Sequence, residues 1–250
     1  MTDKVITEKQ DGVLLITLNR PDMRNAVDVD LAKGLLAAMD ELDGDEGLRV
    51  GVLTGAGSGF CAGMDLKEFA SGNSVDDFPR FLRRGSTKPL VAAVEGFAMA
   101  GGLEIALTCD IIVSTARAKL GIPEIGVGLF AAGGALIRLP RRISYGATAT
   151  LALTGDPIEG EEAHRLGLVD HLAEEGKAAE AALTLAARIA RNAPLSLIAS
   201  KQFLRDGASL DENTFWDLQI PVVESIFASE DALEGARAFA ERRQPVWQGR

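Results

Sequence analysis

The spacing of apolar residues along this chain changes several times, and each change predicts an element. Val13 to Leu18, VLLITL, is a β-branched and leucine-rich run broken by Asn19-Arg20-Pro21, and it reads as a strand. From Asp28 onward, Leu31, Leu35, Leu36, Met39 and Leu42 recur at spacings of three and four, and Gly44 stops the run. That period is helical. Val50 to Thr54, Leu90 to Val94 and Ile111 to Ser114 are short apolar runs that read as buried strands. Strands separated by helices predict right-handed β-α crossovers and a mixed α/β core.

Between these runs, Ser71 to Pro79 is polar and contains Gly, Asn and Asp, which predicts a mobile loop near the site. Gly160 to Leu166 predicts a short helix stopped at Gly167. From Glu174 the pattern is helical: Ala179 to Ala190, Leu195 to Leu204, Leu210 to Phe227 and Leu233 to Arg243, with Asn192-Ala193-Pro194 and Asp206-Gly207 as joints. The expected division is therefore a strand-bearing part, 1–172, and a helical region, 173–250. Phe203, Phe215, Trp216, Phe227, Phe239 and Trp247 in that region read mostly as core.

The chemistry concentrates in Lys88 to Asp110, KPLVAAVEGFAMAGGLEIALTCD, and its sequel LGIPE. Gly101-Gly102 opens an apolar segment carrying one acid, Glu104, with no cation at helical spacing; a second acid, Glu124, follows Pro123 in an equally apolar setting. Carboxylates are rarely buried without a partner. Two of them in apolar surroundings can form a general acid/base pair, because desolvation raises their pKa values toward working pH. The alternative is that one lies at the surface and the other caps a helix.

Composition narrows the function classes. The chain has 250 residues, 47% of them hydrophobic, enough for one large domain or a domain with an appendage. A formal charge of −10 argues against a general nucleic-acid binder, and no basic tract stands out. Cys61 and Cys109 have no metal-like spacing, and a reducing cytoplasm fits them. The polar N-terminus speaks against secretion and mitochondrial import, and no apolar stretch reaches the ~18 residues of a membrane span. Gly55, Gly57, Gly59 and Gly63 crowd one turn, but Phe60 stands where a dinucleotide fingerprint needs its third glycine. Those glycines read instead as letting backbone N–H groups approach a ligand.

GFAMAGGLEIALTCDIIV, followed by AKLGIPEIGVG, closely resembles the signature of the enoyl-CoA hydratase/isomerase, or crotonase, family. NRPDMRNAV, LTGAGSGFCAGMDLKEF, LTGDPIEGEEAHRLGLVDHL and EGARAFAERRQPVW extend the resemblance over nearly the whole chain. It implies an α/β fold, a crotonase-like spiral of ββα units with a C-terminal helical region that covers the active site and builds homotrimers, often paired into hexamers. It implies an oxyanion hole made by the backbone N–H groups of Met64 and Gly101, and two catalytic glutamates at Glu104 and Glu124. Arg24, Ala62, Asp65, Leu66, Lys67 and Phe130 fall at positions near CoA or the acyl chain. Bland readings stand beside these: the glycines permit tight turns, Lys67 solubilises, and Asp65 caps the helix after it. His164 and His171 lie away from the motifs and read as structural.

Departures from the commonest hydratase pattern are the run VGLFAAGGALIRL after Glu124, where many relatives carry LGxxPGxGGTQRL, and Ala100 in place of a third glycine. The function implied is hydration of 2-enoyl-CoA thioesters in fatty-acid or related acyl-CoA metabolism, with no metal and no cofactor beyond the CoA of the substrate. Alternatives are a Δ3-Δ2 enoyl-CoA isomerase, another chemistry of the family such as carnitinyl-CoA dehydration, or a non-catalytic acyl-CoA-binding protein.

Overall fold

The computed structural model describes residues 3–72 and 75–250. The N-terminal half runs β1 (Val5–Gln10), β2 (Val13–Leu18), α1 (Val29–Gly44), β3 (Val50–Gly55), α2 (Leu66–Ala70), α3 (Asp77–Arg84), β4 (Leu90–Val94), β5 (Phe97–Met99) and α4 (Gly101–Ala106). Then come β6 (Ile111–Thr115), β7 (Lys119–Gly121), α5 (Ala135–Arg138), α6 (Tyr145–Thr154), β8 (Ile158–Glu159), α7 (Gly160–Leu166) and β9 (His171–Ala173). Four helices finish the chain: α8 (Ala178–Ala190), α9 (Pro194–Gly207), α10 (Glu212–Phe227) and α11 (Glu230–Glu241).

One sheet has six strands in the order β1-β2-β3-β4-β6-β9, parallel except for the β1–β2 hairpin; a second has three, β5-β7-β8. β4 is apolar throughout, and β3 is buried from Val50 to Thr54, because both faces of the sheet are covered. One face packs on α1, α3 and α4 through Leu31, Leu35, Met39, Phe81, Leu82 and Leu103. The other is closed by α8, whose Ala178, Ala182 and Ala186 lie against Val50, Val52, Val91 and Val113. Small residues on that helix let it approach the valine surface closely.

Two elements depart from the sequence reading. β1 was not expected; as a half-exposed edge strand it carries polar residues, and its pairing to β2 is set by Asp11 and Gly12, both at positive φ, as a two-residue hairpin turn requires. The loop expected over Ser71–Pro79 ends in the first turn of α3, where Pro79 is tolerated because no helical N–H bond is lost; Asn73 and Ser74 of that stretch lie outside the described residues. α3 is specified by Phe78, Phe81 and Leu82, a narrow buried stripe among charges. The expected boundary at residue 172 falls inside β9, and α8 beyond it is part of the sheet's cover. Among the helices, α9 starts at Pro194 and runs on to Gly207, and α11 ends at Glu241.

Candidate active site

β5 and β7 lie side by side, with Met99 opposite Gly121, and the Ala100 N–H donates to the Gly121 carbonyl over 2.8 Å. Each strand is followed at once by a helical turn: α4 after β5, and a 3₁₀ turn over Pro123–Val127 after β7. Glu104 sits in the first turn of α4 and Glu124 in the first turn of the 3₁₀ segment. The parallel pairing of two short strands thus brings together acids twenty residues apart in sequence.

All six residues of α4 are buried, and Glu104 is only 4% exposed. Burial raises its pKa, the Ala135 and Gly133 N–H groups act against that, and the negative charge of Glu124 raises it further. One of its oxygens, Oε1, accepts from the Ala135 N–H at 3.1 Å. Glu124 is likewise pushed above the usual carboxylate range by burial, and its Oε2 is buried with no hydrogen-bond partner among the described residues. A buried carboxylate oxygen without a partner costs free energy, and a water or substrate hydroxyl beside it would satisfy it.

The two backbone donors expected as an oxyanion hole are neighbours. A Cβ built on Gly101 would lie 3.5 Å from the Met64 nitrogen. The bridge between Val27 and Met64 uses the Gly63 carbonyl and the Asp65 N–H, which leaves the Met64 N–H unclaimed; Gly101, first in α4, has no helical acceptor for its own. Both N–H groups are thus without a backbone acceptor among the described residues. Gly102 fixes how closely α4 approaches: a Cβ there would stand 2.1 Å from the Cys61 carbonyl oxygen. Ala100 takes φ 52° and ψ −128°, a conformation that ordinarily belongs to glycine.

The Met64 turn is held by residues the sequence reading passed over. Asn25 is fully buried at φ 54°, and its amide donates to the Ala56, Gly59 and Phe60 carbonyls at 2.9, 2.9 and 3.0 Å. Arg20 joins Asp65 and Asp28 in a partly buried ion network, each at 3.2 Å. Asp65 also accepts from the Lys67 N–H at 3.1 Å, so its carboxylate is engaged in shaping the turn and starting α2. Gly55 and Gly59 serve internal packing rather than ligand approach, since a Cβ on either would strike the Phe60 carbonyl or the Phe97 ring. Burial pushes the Cys61 thiol up to about 12, which removes it as a nucleophile.

The expected ligand-facing residues divide. The Ala62 N–H donates to the Arg24 carbonyl over 3.0 Å, so the Arg24 and Cys61–Asp65 segments run side by side. Arg24, Leu66 and Lys67 are exposed around this turn, and neither the Arg24 guanidinium nor the Lys67 ammonium has an acceptor among the described residues. Phe130 is 69% exposed, while Ala131 beside it is buried. His164 Nδ1 donates to the Val169 carbonyl over 2.9 Å, and His171 lies on the exposed edge strand β9.

Three further residues support Glu104. Gly133 leaves room for its carboxylate, Ala135 donates to it, and Arg138 reaches from α5 to the Leu82 carbonyl, the Thr108 hydroxyl and the Gly133 carbonyl. The signal in the sequence was GGALIR, a glycine pair at the entry of a one-turn helix with an arginine four residues on. Among the described residues no group of acids, histidines and cysteines is arranged to hold a metal ion.

The sequence pattern of the enoyl-CoA hydratase/isomerase family matches residues 8–250. The chain belongs to that family. This hydratase/isomerase is 40% identical to enoyl-CoA hydratase EchA19 of Mycobacterium tuberculosis, over 98% of this chain and 96% of the relative. It is 35% identical to the 2,3-dehydroadipyl-CoA hydratase of Escherichia coli over 99% of both. The crystal structure of an enoyl-CoA hydratase from M. tuberculosis H37Rv superposes with a TM-score of 0.95 at 48% identity, covering 100% of each chain. The crotonase-like α/β fold expected from the motifs is therefore the fold of this hydratase/isomerase.

Proposed function

We propose that this family member is an enoyl-CoA hydratase, a hydro-lyase that adds water across the 2,3 double bond of 2-enoyl-CoA thioesters. The observation that carries the reading is the pair of acids, buried Glu104 and half-buried Glu124, both raised in pKa by burial, with one Glu124 oxygen left without a partner among the described residues. That oxygen offers a site for the attacking water. In the proposed reaction the pair orients one water and takes a proton from it as its oxygen bonds to C3. The π electrons move through C2 onto the thioester carbonyl, giving an enolate. Fixed N–H dipoles of Met64 and Gly101 stabilise that oxyanion without reorganising. As the enolate collapses, a carboxyl group returns one proton to C2, so protons and charge balance and no separate cofactor is required.

The exposed cations of Arg24 and Lys67, beside the oxyanion turn, support phosphate recognition by this side of the molecule. Ala62, Leu66 and Phe130 complete the proposed contacts to CoA and the acyl chain. The reading also takes α9 to α11 as the covering and trimer-forming region; Trp216, Ile220, Phe227 and Phe239 there are exposed apolar residues. No helix of the described residues is long and apolar enough to cross a membrane. A cytoplasmic setting in fatty-acid or related acyl-CoA metabolism completes the proposal, and the two free, buried cysteines fit it. The test is loss of enoyl-thioester absorbance across a series of CoA substrates from short to long chains. Absence of hydration across the whole series would defeat the reading.

A further inference from the structure

A cavity of about 550 Å³ opens at the end of α4 away from the oxyanion turn, between the end of α3, the start of β4, α5 and α9. Sites for small ligands are commonly of this size, roughly 300–1,000 Å³. Its wall is basic in a chain whose formal charge is −10: seven of its side chains are cations and one, Asp110, is an acid. Lys201 takes Asp110 at 2.9 Å, Arg142 takes Asp170, Arg205 takes Asp206, and Arg84 takes Asp40 and Asp43. Arg138 is spent on the Leu82 and Gly133 carbonyls.

Arg83 and Arg141 remain, with no partner among the described residues, and both are exposed to the opening. Between the charges lie Leu107, Ile111 and Leu197, and Leu204 forms a rim that is 80% exposed. Like charges held together on an apolar wall repel, and an anion placed among them relieves that repulsion. The combination of two unspent guanidinium groups with an apolar lining fits a ligand that is itself part oxyanion and part hydrocarbon.

We propose that this cavity is a second ligand site, separate from the glutamates, which binds an amphipathic carboxylate: its head taken by Arg83 and Arg141, its tail laid on Leu107, Ile111, Leu197 and Leu204. The site communicates with Glu104 through Arg138, which lines the cavity and also tethers the Gly133–Ala135 segment that touches the Glu104 carboxylate. Occupation draws on that guanidinium and so disturbs the acid, not the CoA-binding turn on the other side of α4. The inference goes beyond the hydratase reading, and its binding arm needs no turnover.

The experiment is calorimetric titration of the full-length protein with octanoate, with inorganic phosphate as a parallel arm. Octanoate is expected to bind, and phosphate to bind at least about tenfold more weakly because it lacks the apolar tail. Arg83→Gln and Arg141→Gln, two exposed positions on separate elements, should each weaken octanoate about tenfold or more without lowering the thermal midpoint and with basal turnover unchanged. Saturating octanoate should lower kcat for crotonyl-CoA at unaltered KM. No heat with the wild type, wild-type affinity in both variants, or phosphate binding as tightly as octanoate would overturn the site. A rise in KM alone, or an unaltered kcat, would overturn its link to Glu104.

Discussion

A Cβ atom placed on Gly133 would fall 2.2 Å from Oε2 of Glu104, so the buried acid rests against bare backbone. Gly133→Ala is therefore expected to displace the carboxylate while the fold, held by the cores on both sides of the sheet, survives. A misplacement on the order of 1 Å can cost about 10²-fold in rate. The expected result is a kcat lowered by that order with KM little changed, read by steady-state hydration of crotonyl-CoA. Wild-type kcat in a folded variant would show that Glu104 is not needed in this position.

The two acids should behave as one unit. Glu104→Gln and Glu124→Gln each keep the shape of the side chain but remove its capacity to take and give a proton. Each is expected to lower hydration steeply, and the double variant to be barely worse than the worse single. Losses that multiply would assign the residues independent roles. Retention of full hydration in Glu104→Gln would instead favour isomerisation by Glu124 alone, measurable as conversion of a 3-enoyl to a 2-enoyl thioester.

Both glutamates are held above the usual carboxylate range by burial, and this fixes the sign of their effect on stability. A carboxyl whose pKa is raised on folding favours the native state fully below its unfolded value, about 4.3, and that advantage is lost as pH rises through its folded value. Glu124→Gln is therefore expected to raise the thermal midpoint at pH 8 and to leave it nearly unchanged at pH 4. Equal midpoints of variant and wild type at pH 8 would contradict the assignment of Glu124 Oε2 as an unsatisfied buried oxygen. The acidic limb of kcat/KM for hydration should likewise lie above the usual carboxylate range.

Gly101→Pro removes one N–H aimed beside Met64. As the first residue of α4 the position accepts proline's φ, although the Phe78 ring must shift from its 3.0 Å approach to a built Cβ. Loss of one such donor typically costs about 10²–10³ in kcat. Circular dichroism checks the fold, and near-normal turnover in a folded variant would move the donor elsewhere.

Ala100, immediately before α4, carries backbone strain. Ala100→Gly should stabilise the protein by about 1 kcal/mol, the relief of a glycine-type conformation, roughly 1–3 kcal/mol, less the entropy glycine loses on folding. Denaturant unfolding measures this, and a destabilised variant would mean that the Ala100 methyl packs usefully enough to outweigh the strain.

What the sequence determined by itself was whatever depends on local pattern. β2, β4 and the capped start of α1 at Asp28 follow from runs and spacings that tertiary contacts only complete, because strands covered on both faces must be apolar at every position. The ordered motifs around Met64, Gly101, Glu104 and Glu124 carried the family resemblance from which the proposed site was taken. β1 and α3 were less legible: an edge strand needs no apolar run, and three buried residues among charges make a weak stripe. Tertiary structure alone decided the rest. The β5–β7 pairing, absent from any local pattern, sets Glu104 beside Glu124; the approach of Gly133 to a carboxylate depends on the path of a loop 29 residues away. Asn25, Arg20 and Arg138 act through carbonyls and acids distant in the chain, and a polar residue's partners are fixed only when the backbone around it is folded.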